Sequence, residues 1–476
     1  MTETAARITD RRLLVAGEWL ATGEWIDVAS PYSNEVVGRV ARGSAELARQ
    51  AIDAAERALA EPPPTHERAA ILDRVAQALA HREGEAAALI CAEAGKPMKA
   101  ARVEANRAVS TLTFAAVAAR SLAGEIVPMD ASPAGEGKLA FTQRFPIGVV
   151  AAISPFNFPL NLVAHKLAPA IAAGCPVVLK PAAKTPLSAL FLAELIADAG
   201  LPAGFLSVVP GPSSEIGDVF VDDERVRLIT FTGSAEVGWG LRARAPRKRV
   251  NLELGNATPA IVLADAELEV AAKKLAASAF SFAGQSCISV QRIYVAREVF
   301  DAFSALLVSA TESLVVGDPA DEQTDVGPVI STGDRDRILE WIADSGGDVL
   351  TGGGADENGV LRPTVIASPA PTARVACDEV FGPVTTVSPV DSLDEAIAAA
   401  NATRFGLQAG IFSRDVTGAL NAARRLDFGG VTINETPTFR ADQMPYGGVK
   451  DSGNTREGPA WAMREMTEER LVVVQL

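Results

Sequence analysis

The sequence predicts an α/β protein built on two parallel sheets. Three observations carry that expectation. Short, wholly apolar runs alternate with helix-length patterned segments from residue 147 onward, the mark of parallel strands buried on both faces. A second alternating series follows the first along the chain. Finally, 476 residues with a hydrophobic fraction of 48% exceed what one core organises, because single cores stop growing at about 250–300 residues.

In chain order, Thr65 can cap a helix whose apolar face includes Ile71, Leu72, Val75 and Leu79, spaced by three and four and ending near Gly95-Lys96-Pro97. The strands of the first series are IGVVAAI (147–153), PVVLK (176–180), FLSVV (205–209) and RLITF (227–231). The second series begins near VQRIYVA (290–296) and reaches GGVTIN (429–434). EPPP (61–64) and TGGGADENG (351–359) read as loops, and no internal repeat interrupts the pattern.

Composition narrows the function. Lys plus Arg at 44 against Asp plus Glu at 59 gives a net charge of −15, which repels nucleic acid and anionic membrane, so a small-molecule partner is expected. The N-terminal MTETAARITDRR has no signal-peptide apolar stretch, and no apolar run reaches the roughly 18 residues that span a bilayer, so a cytoplasmic protein is expected. Cys91, Cys175, Cys287 and Cys377 lie far apart without a CxxC pair, which argues for reduced thiols and against a metal site.

Polar residues gather where the first strands end: Ser154-Pro155-Phe156-Asn157, Lys180-Pro181, Pro210-Gly211-Pro212 and Thr232-Gly233-Ser234. In an open α/β sheet the ligand crevice lies outside the carboxyl ends of the strands, so these four loops should converge. Gly233 and Gly238 in FTGSAEVGWG sit at a strand-to-helix turn, where free backbone N–H groups and the helix dipole can hold a pyrophosphate; their spacing is not GxGxxG, and taken alone the motif fits a turn without a ligand better. Cys287, in FSFAGQSCISVQRI, is either a nucleophile or one more small buried residue.

Taken together, SPFNFP, VVLKPAAKTP, FTGSAEVG, NLELGNATPAIV, FAGQSCISVQRI, DEVFGPV and MPYGGVKDSG resemble, in order, the motif set of the NAD(P)-dependent aldehyde dehydrogenase superfamily, over essentially the whole chain. The overall look is similar to its lactaldehyde, non-phosphorylating glyceraldehyde-3-phosphate and phosphonoacetaldehyde branch. The resemblance implies the aldehyde dehydrogenase-like fold: a cofactor domain (1–120 and 147–252), a catalytic domain (253–435) and a small β oligomerisation element (121–146 and 455–476), in a homodimer or homotetramer. A lone apolar C-terminal strand, LVVVQL, is an edge that needs pairing.

By the same resemblance Cys287 is the nucleophile that adds to the aldehyde, Glu253 the general base for thioester hydrolysis, and Asn157 with the Cys287 N–H the oxyanion hole. Cofactor contacts are implied at Ile153, Ser154 and Pro155; at Lys180, which holds the adenosine ribose, with Ala183 and Lys184; at Gly211; at Phe231, Gly233, Ser234 and Val237; at Leu254; and at Glu379 with Phe381 around the nicotinamide ribose. Glu253 argues for a free acid rather than acyl transfer to coenzyme A. Where NAD-preferring relatives carry a glutamate, this chain has Ala183 followed by Lys184, so NADP should serve at least as well as NAD.

Ser286 stands where anion-reading relatives carry arginine, and Phe158 replaces a polar residue found in some of them. With Leu162, Ile288 and Phe439 as further pocket residues, a small aliphatic or hydroxy aldehyde is expected. Arg107 is the counter-signal, pointing to a semialdehyde or a phosphorylated or phosphonate aldehyde, although a solvated helix charge fits it as well. Singly, each residue keeps a structural alternative: Asn157 in a side-chain turn, Glu253 in an ion pair, Lys180 as a solvated strand end, Glu379 as a surface acid. Two other classes remain: a thiol hydrolase using Cys287 with His66, His81 or His165, and a non-catalytic NADP-binding descendant.

Overall fold

The computed structural model describes residues 9–476. Five parallel strands, Val149–Ile153 (β1), Val177–Lys180 (β2), Leu206–Val208 (β3), Val226–Thr232 (β4) and Arg249–Glu253 (β5), run in the order β5-β4-β1-β2-β3. An antiparallel ribbon, Leu13–Val15 and Glu18–Leu20, extends the β3 edge. Successive strand side chains face opposite sides of the sheet, and both sides are cores: Val150 and Ala152 pack into one, Val149 and Ala151 into the other. Helices Thr65–His81 (α1), Met98–Ser121 (α2) and Asn161–Ala173 (α3) cover the first face, and Ala235–Arg244 (α4) helps to cover the second. This double burial is why the strands read as predominantly apolar runs.

The second sheet contains Thr258–Val262 (β6), Val290–Ala296 (β7), Asp348–Thr351 (β8), Thr364–Ala367 (β9), Val384–Val390 (β10), Gln408–Phe412 (β11) and Gly430–Ile433 (β12), in the order β8-β9-β10-β7-β6-β11-β12. All neighbours are parallel except the β8–β9 pair at one edge. Helix Leu268–Phe280 (α5) links β6 to β7 and packs on one face. In a third sheet Thr467–Gln475 lies antiparallel to Lys138–Pro146 over nine residue pairs, with Ile126–Val127 on the far side. Among the described residues no helix is long and apolar enough to cross a membrane.

Several expectations need correction. Thr65 is the first helical residue rather than the cap; Pro64 precedes it, with a fixed φ suited to a helix start. The segment to Gly95 is two helices, since Arg82 leaves helical geometry before Glu83–Ala94, which Gly95 ends in the left-handed region at φ 65°. The second sheet begins one strand earlier than its alternating series, at β6, whose run TPAIV follows β5 too closely to stand apart in the sequence. The C-terminal strand starts at Thr467, while the helix Pro459–Glu465 and its end place Met463 and Met466 in the first domain's core.

Candidate active site

The strand order positions the site. The chain runs outward from β1 to β2 and β3, then returns to lay β4 and β5 on the other side of β1, so the crevice opens between the carboxyl ends of β1 and β4. Ile153, Ser154 and Pro155 leave β1 there, and Phe231, Gly233 and Ser234 end β4 and open α4. At Gly233 a Cβ would run into the Phe231 ring, and at Gly238 one would meet the Leu254 side chain, so both glycines keep the turn close to the sheet.

Lys180, the last residue of β2, is 2% exposed and donates to the Pro181 carbonyl at 3.1 Å; burial lowers its ammonium to about 8. Ala183 and Lys184 are exposed just beyond it, Gly211 is buried after β3, and Val237 is exposed on α4. Glu379 accepts the Asn256 N–H at 2.9 Å, and burial raises its carboxyl to about 7. Phe381, at φ 51°, sets its ring edge-on to Phe156, centroids 5.7 Å apart.

The thiol comes from the second domain. Beyond α5 the chain passes through a left-handed turn at Phe282 (φ 49°), Ala283 (φ 52°) and Gly284 (φ 68°), a conformation costing non-glycine residues about 1–3 kcal/mol each. Gln285 holds that turn: its carboxamide donates to the Phe282 and Pro328 carbonyls, both at 3.3 Å, and accepts the Ile330 N–H at 2.8 Å. Asn157 ties in the first domain by donating from Nδ2 to the Gln285 carbonyl at 2.9 Å.

Half-buried Cys287 shares a narrow open cavity with Glu253, Arg107, Phe158, Leu162, Ser286, Ile288, Arg440, Tyr446 and Glu457. Burial pushes its thiol up to about 12; the Tyr446 hydroxyl, 3.0 Å from Sγ, and Arg440 act against that rise, while Glu379 and Glu253 add to it. Glu253, at the end of β5, is 5% exposed, and neither carboxyl oxygen has a hydrogen-bond partner. Burial, reinforced by Glu457, raises this carboxyl well above the usual range. Gly447 permits the approach of the MPYGG segment, since a Cβ there would collide with the Thr455 carbonyl and Glu253 Oε1.

Behind the thiol lies a buried ionic cluster. Arg440 donates to Glu457 at 2.8 Å and lies 3.9 Å from the Tyr446 ring centroid. Lys166, 3.9 Å from Glu457, donates to Thr230 and Thr232 at 3.1 and 2.7 Å. Asp442 is 2.8 Å from Arg107 and 3.1 Å from His165; burial opposes ionisation of its carboxyl, but these partners hold it well below the usual range. His165 is thus engaged with Asp442, Thr111 and Arg440, and burial together with Arg440 lowers its pKa.

Cys287, Glu253 and the expected substrate residues Arg107, Phe158, Leu162, Ser286 and Ile288 therefore meet around one space, which Arg107, Phe158, Ser286 and Ile288 connect to an outer cavity; Asn157 does not line it and is tied to its rim through the Gln285 carbonyl. Phe439 does not join them. It is 51% exposed and lines neither cavity, because the turn that buries Arg440 points its neighbour outward. Sequence reading did not nominate Tyr446, Arg440, Asp442, Glu457 or Lys166, and named His165 only as a candidate base of a thiol hydrolase. A signal for two existed: His165 and Lys166 are charged or polar residues inside the otherwise apolar helix LVAHKLAPAIAA.

Two parallel sheets facing a shared cleft, one offering a nucleotide crevice and the other a half-buried thiol, define a two-domain α/β enzyme. The chain belongs to the aldehyde dehydrogenase family, whose model matches residues 19–472. It is 43% identical over 466 residues to a 3-sulfolactaldehyde dehydrogenase of Priestia aryabhattai, covering 98% of both chains. Aldehyde dehydrogenase 21 from Physcomitrella patens, solved with the reaction product succinate, matches with a TM-score of 0.95 and 39% identity over 98% of both chains. Glyceraldehyde-3-phosphate dehydrogenase GapN from Methanocaldococcus jannaschii, solved with NADP, matches with a TM-score of 0.91 and 39% identity over 95% of this chain and 99% of that one.

Proposed function

We propose that this chain oxidises a short aldehyde with an anionic far end to the free acid, using NADP at least as well as NAD. The observation that carries the reading is the Glu253 carboxyl: buried, without a hydrogen-bond partner, and in the same cavity as the Cys287 thiol. Such a group is costly to keep unless it acts, and a base beside a nucleophile is the arrangement that hydrolysis of a thioester requires.

Cys287 adds to the carbonyl, and Asn157 Nδ2 with the Cys287 N–H stabilises the oxyanion of the thiohemiacetal. Held in the crevice by Lys180, the Gly233 turn and Glu379, a nicotinamide cofactor would supply the hydride acceptor for this adduct. Glu253 then takes a proton from the water that attacks the resulting thioester, and Cys287 departs as the acid is released. The crevice residues fit a dinucleotide: Lys180 is a buried cation with N–H donors to spare, and Gly233, where a Cβ would collide with the Phe231 ring, keeps the strand-to-helix turn close to the sheet. Exposed Ala183 and Lys184 leave room and positive charge for a 2′-phosphate. On this reading the sheet of β1–β5 carries the cofactor and the sheet of β6–β12 the nucleophile.

Two arginines favour an anionic substrate over the neutral aldehyde that Phe158 and Ser286 alone suggest. Arg107 sits at the junction of the inner and outer cavities, and Arg440 Nε is buried without a partner. The sulfolactaldehyde, succinate and glyceraldehyde-3-phosphate named for the three relatives all carry an anion at that end, which agrees. Apolar side chains exposed on the third sheet, among them Ile126 at 78% and Leu471 at 58%, suit contact with a second copy of the chain.

The test is turnover with matched short aldehydes ending in carboxylate, sulfonate, phosphate or a neutral group. Cys287→Ala should abolish turnover. An anionic substrate should lead in kcat/KM, and Arg107→Gln should cost it about 10- to 100-fold while changing the neutral one a few-fold. A neutral aldehyde leading by tenfold would overturn the substrate class, and turnover surviving in Cys287→Ala would overturn the mechanism.

A further inference from the structure

We propose that Tyr446 is a further catalytic residue, whose hydroxyl donates a hydrogen bond to the Cys287 sulfur and stabilises its thiolate. The proposal rests on the reading of Cys287 as nucleophile and adds a group that tunes it. Tyr446 Oη lies 3.0 Å from Sγ, and at this geometry either atom can be the donor. The thiol form can donate to the hydroxyl; once the S–H bond breaks and its proton passes to water, the sulfur can only accept, and Tyr446 turns its own proton toward it. Nothing is oxidised, and the phenol remains protonated.

The surroundings favour that donor role. Tyr446 is 3% exposed, so little water competes for the sulfur, and the Arg440 guanidinium lies 3.9 Å from its ring centroid, drawing electron density from the phenol. Arg440 is itself held by Glu457, next to Lys166. Glu253 and Glu379 are the acidic groups facing the thiol, and both oppose ionisation of the sulfur. Against two carboxyls and burial, the Tyr446 hydroxyl and the Arg440 charge are what favour the thiolate. A hydroxyl on this ring thus has a chemical reason beyond filling space.

The experiment reads the thiol directly, so it does not depend on turnover. Native protein and Tyr446→Phe are treated with iodoacetamide from pH 6 to 11, and alkylation of each cysteine is followed by mass spectrometry. Exposed Cys377 serves as the internal standard, while buried Cys91 and Cys175 report unfolding if they become labelled. Loss of the donor should move the Cys287 profile to higher pH and slow its alkylation below the profile's midpoint roughly tenfold or more, with Cys377 unchanged. Replacing the chain's three tyrosines by 3-fluorotyrosine supplies the opposite perturbation and is decisive should Tyr446→Phe misfold. The more acidic phenol should move the Cys287 profile to lower pH, which a packing role cannot produce. An unchanged Cys287 profile in the folded Phe variant, or in the fluorinated protein, overturns the proposal. Failure of the nucleophile reading shows separately, as turnover that persists in Cys287→Ala.

Discussion

Lys96 and Glu104 form a buried pair whose removal should be strongly non-additive. Both are 1% exposed, and the Lys96 ammonium donates to Glu104 Oε2. It also lies 3.7 Å from the Phe158 ring centroid and 4.5 Å from that of Phe282. Glu104 Oε1 accepts the N–H groups of Leu160 and Asn161 at 3.0 and 3.1 Å, two of the donors left free at the start of α3. The pair therefore ties α2 to the loop carrying Asn157 and to the turn before Cys287.

Lys96→Met leaves a buried carboxylate with only backbone donors, and Glu104→Gln leaves a buried ammonium without a counter-charge, with one amide oxygen in place of the two that served Lys96 and the backbone N–H groups. Breaking such a pair from one side costs about 3–5 kcal/mol, whereas removing both charges at once costs far less. At about 2.1 cal/mol/K per residue, 476 residues give an unfolding entropy of about 1 kcal/mol/K, so each single variant should lower the Tm by about 3–5 °C. The double variant should fall by less than either single one. Calorimetry on the four proteins closes the cycle. Additive losses, with the double variant down by about 6–10 °C on the same scale, would refute the reasoning.

Glu253→Gln should form one equivalent of reduced cofactor per Cys287 and then stall, with an acyl mass increment on Cys287; steady turnover would exclude Glu253 as the base. The same variant should be more thermostable. Because the folded pKa lies above 4.5, the native chain binds an extra proton in the window above that value, so ionisation of the unfolded state costs it stability as pH rises through the window. The gain in Tm should be near zero at pH 4 and grow toward neutrality, and a gain that shrinks with pH would contradict the raised carboxyl. Ala183→Glu should weaken NADP binding at least tenfold, measured by fluorescence titration, with NAD weakened less or improved; equal losses would show that the exposed position beyond Lys180 does not face the 2′-phosphate.

The parallel sheets were legible because burial on both faces leaves β1 wholly apolar and makes β2 and β4 mostly so, with Lys180 at the end of β2 and Arg227, Thr230 and Thr232 as the polar members of β4. The strand β6 was hidden by its closeness to β5, since only a four-residue link separates Glu253 from Thr258. Cys287, Glu253 and Asn157 could be nominated from the sequence because each stands in a short motif, Glu253 at the end of β5 and the other two in loops. Arg440, Asp442 and Glu457 were not, because their roles depend on partners far away in the chain: Asp442 meets Arg107 across 335 positions and His165 across 277. A charge pattern carries no sign of such distant pairing. Phe439 was misplaced for a related reason, since one residue's shift along an irregular segment exchanges a buried side chain for an exposed one.

The same long-range pairings explain how a centre split between two domains keeps its geometry. Cys287 enters from the second sheet and Glu253 from the first, so nothing local fixes their separation. The Asn157 to Gln285 bond, the Lys96 clamp between Phe158 and Phe282, and the close passage of Gly447 past Glu253 each join a loop of the first domain to a segment of the second. None involves the thiol itself. On the proposed mechanism, preorganisation is thus carried by neighbours whose bonds would not change during the reaction, while the proposed reacting groups Cys287 and Glu253 are left with few bonds or none.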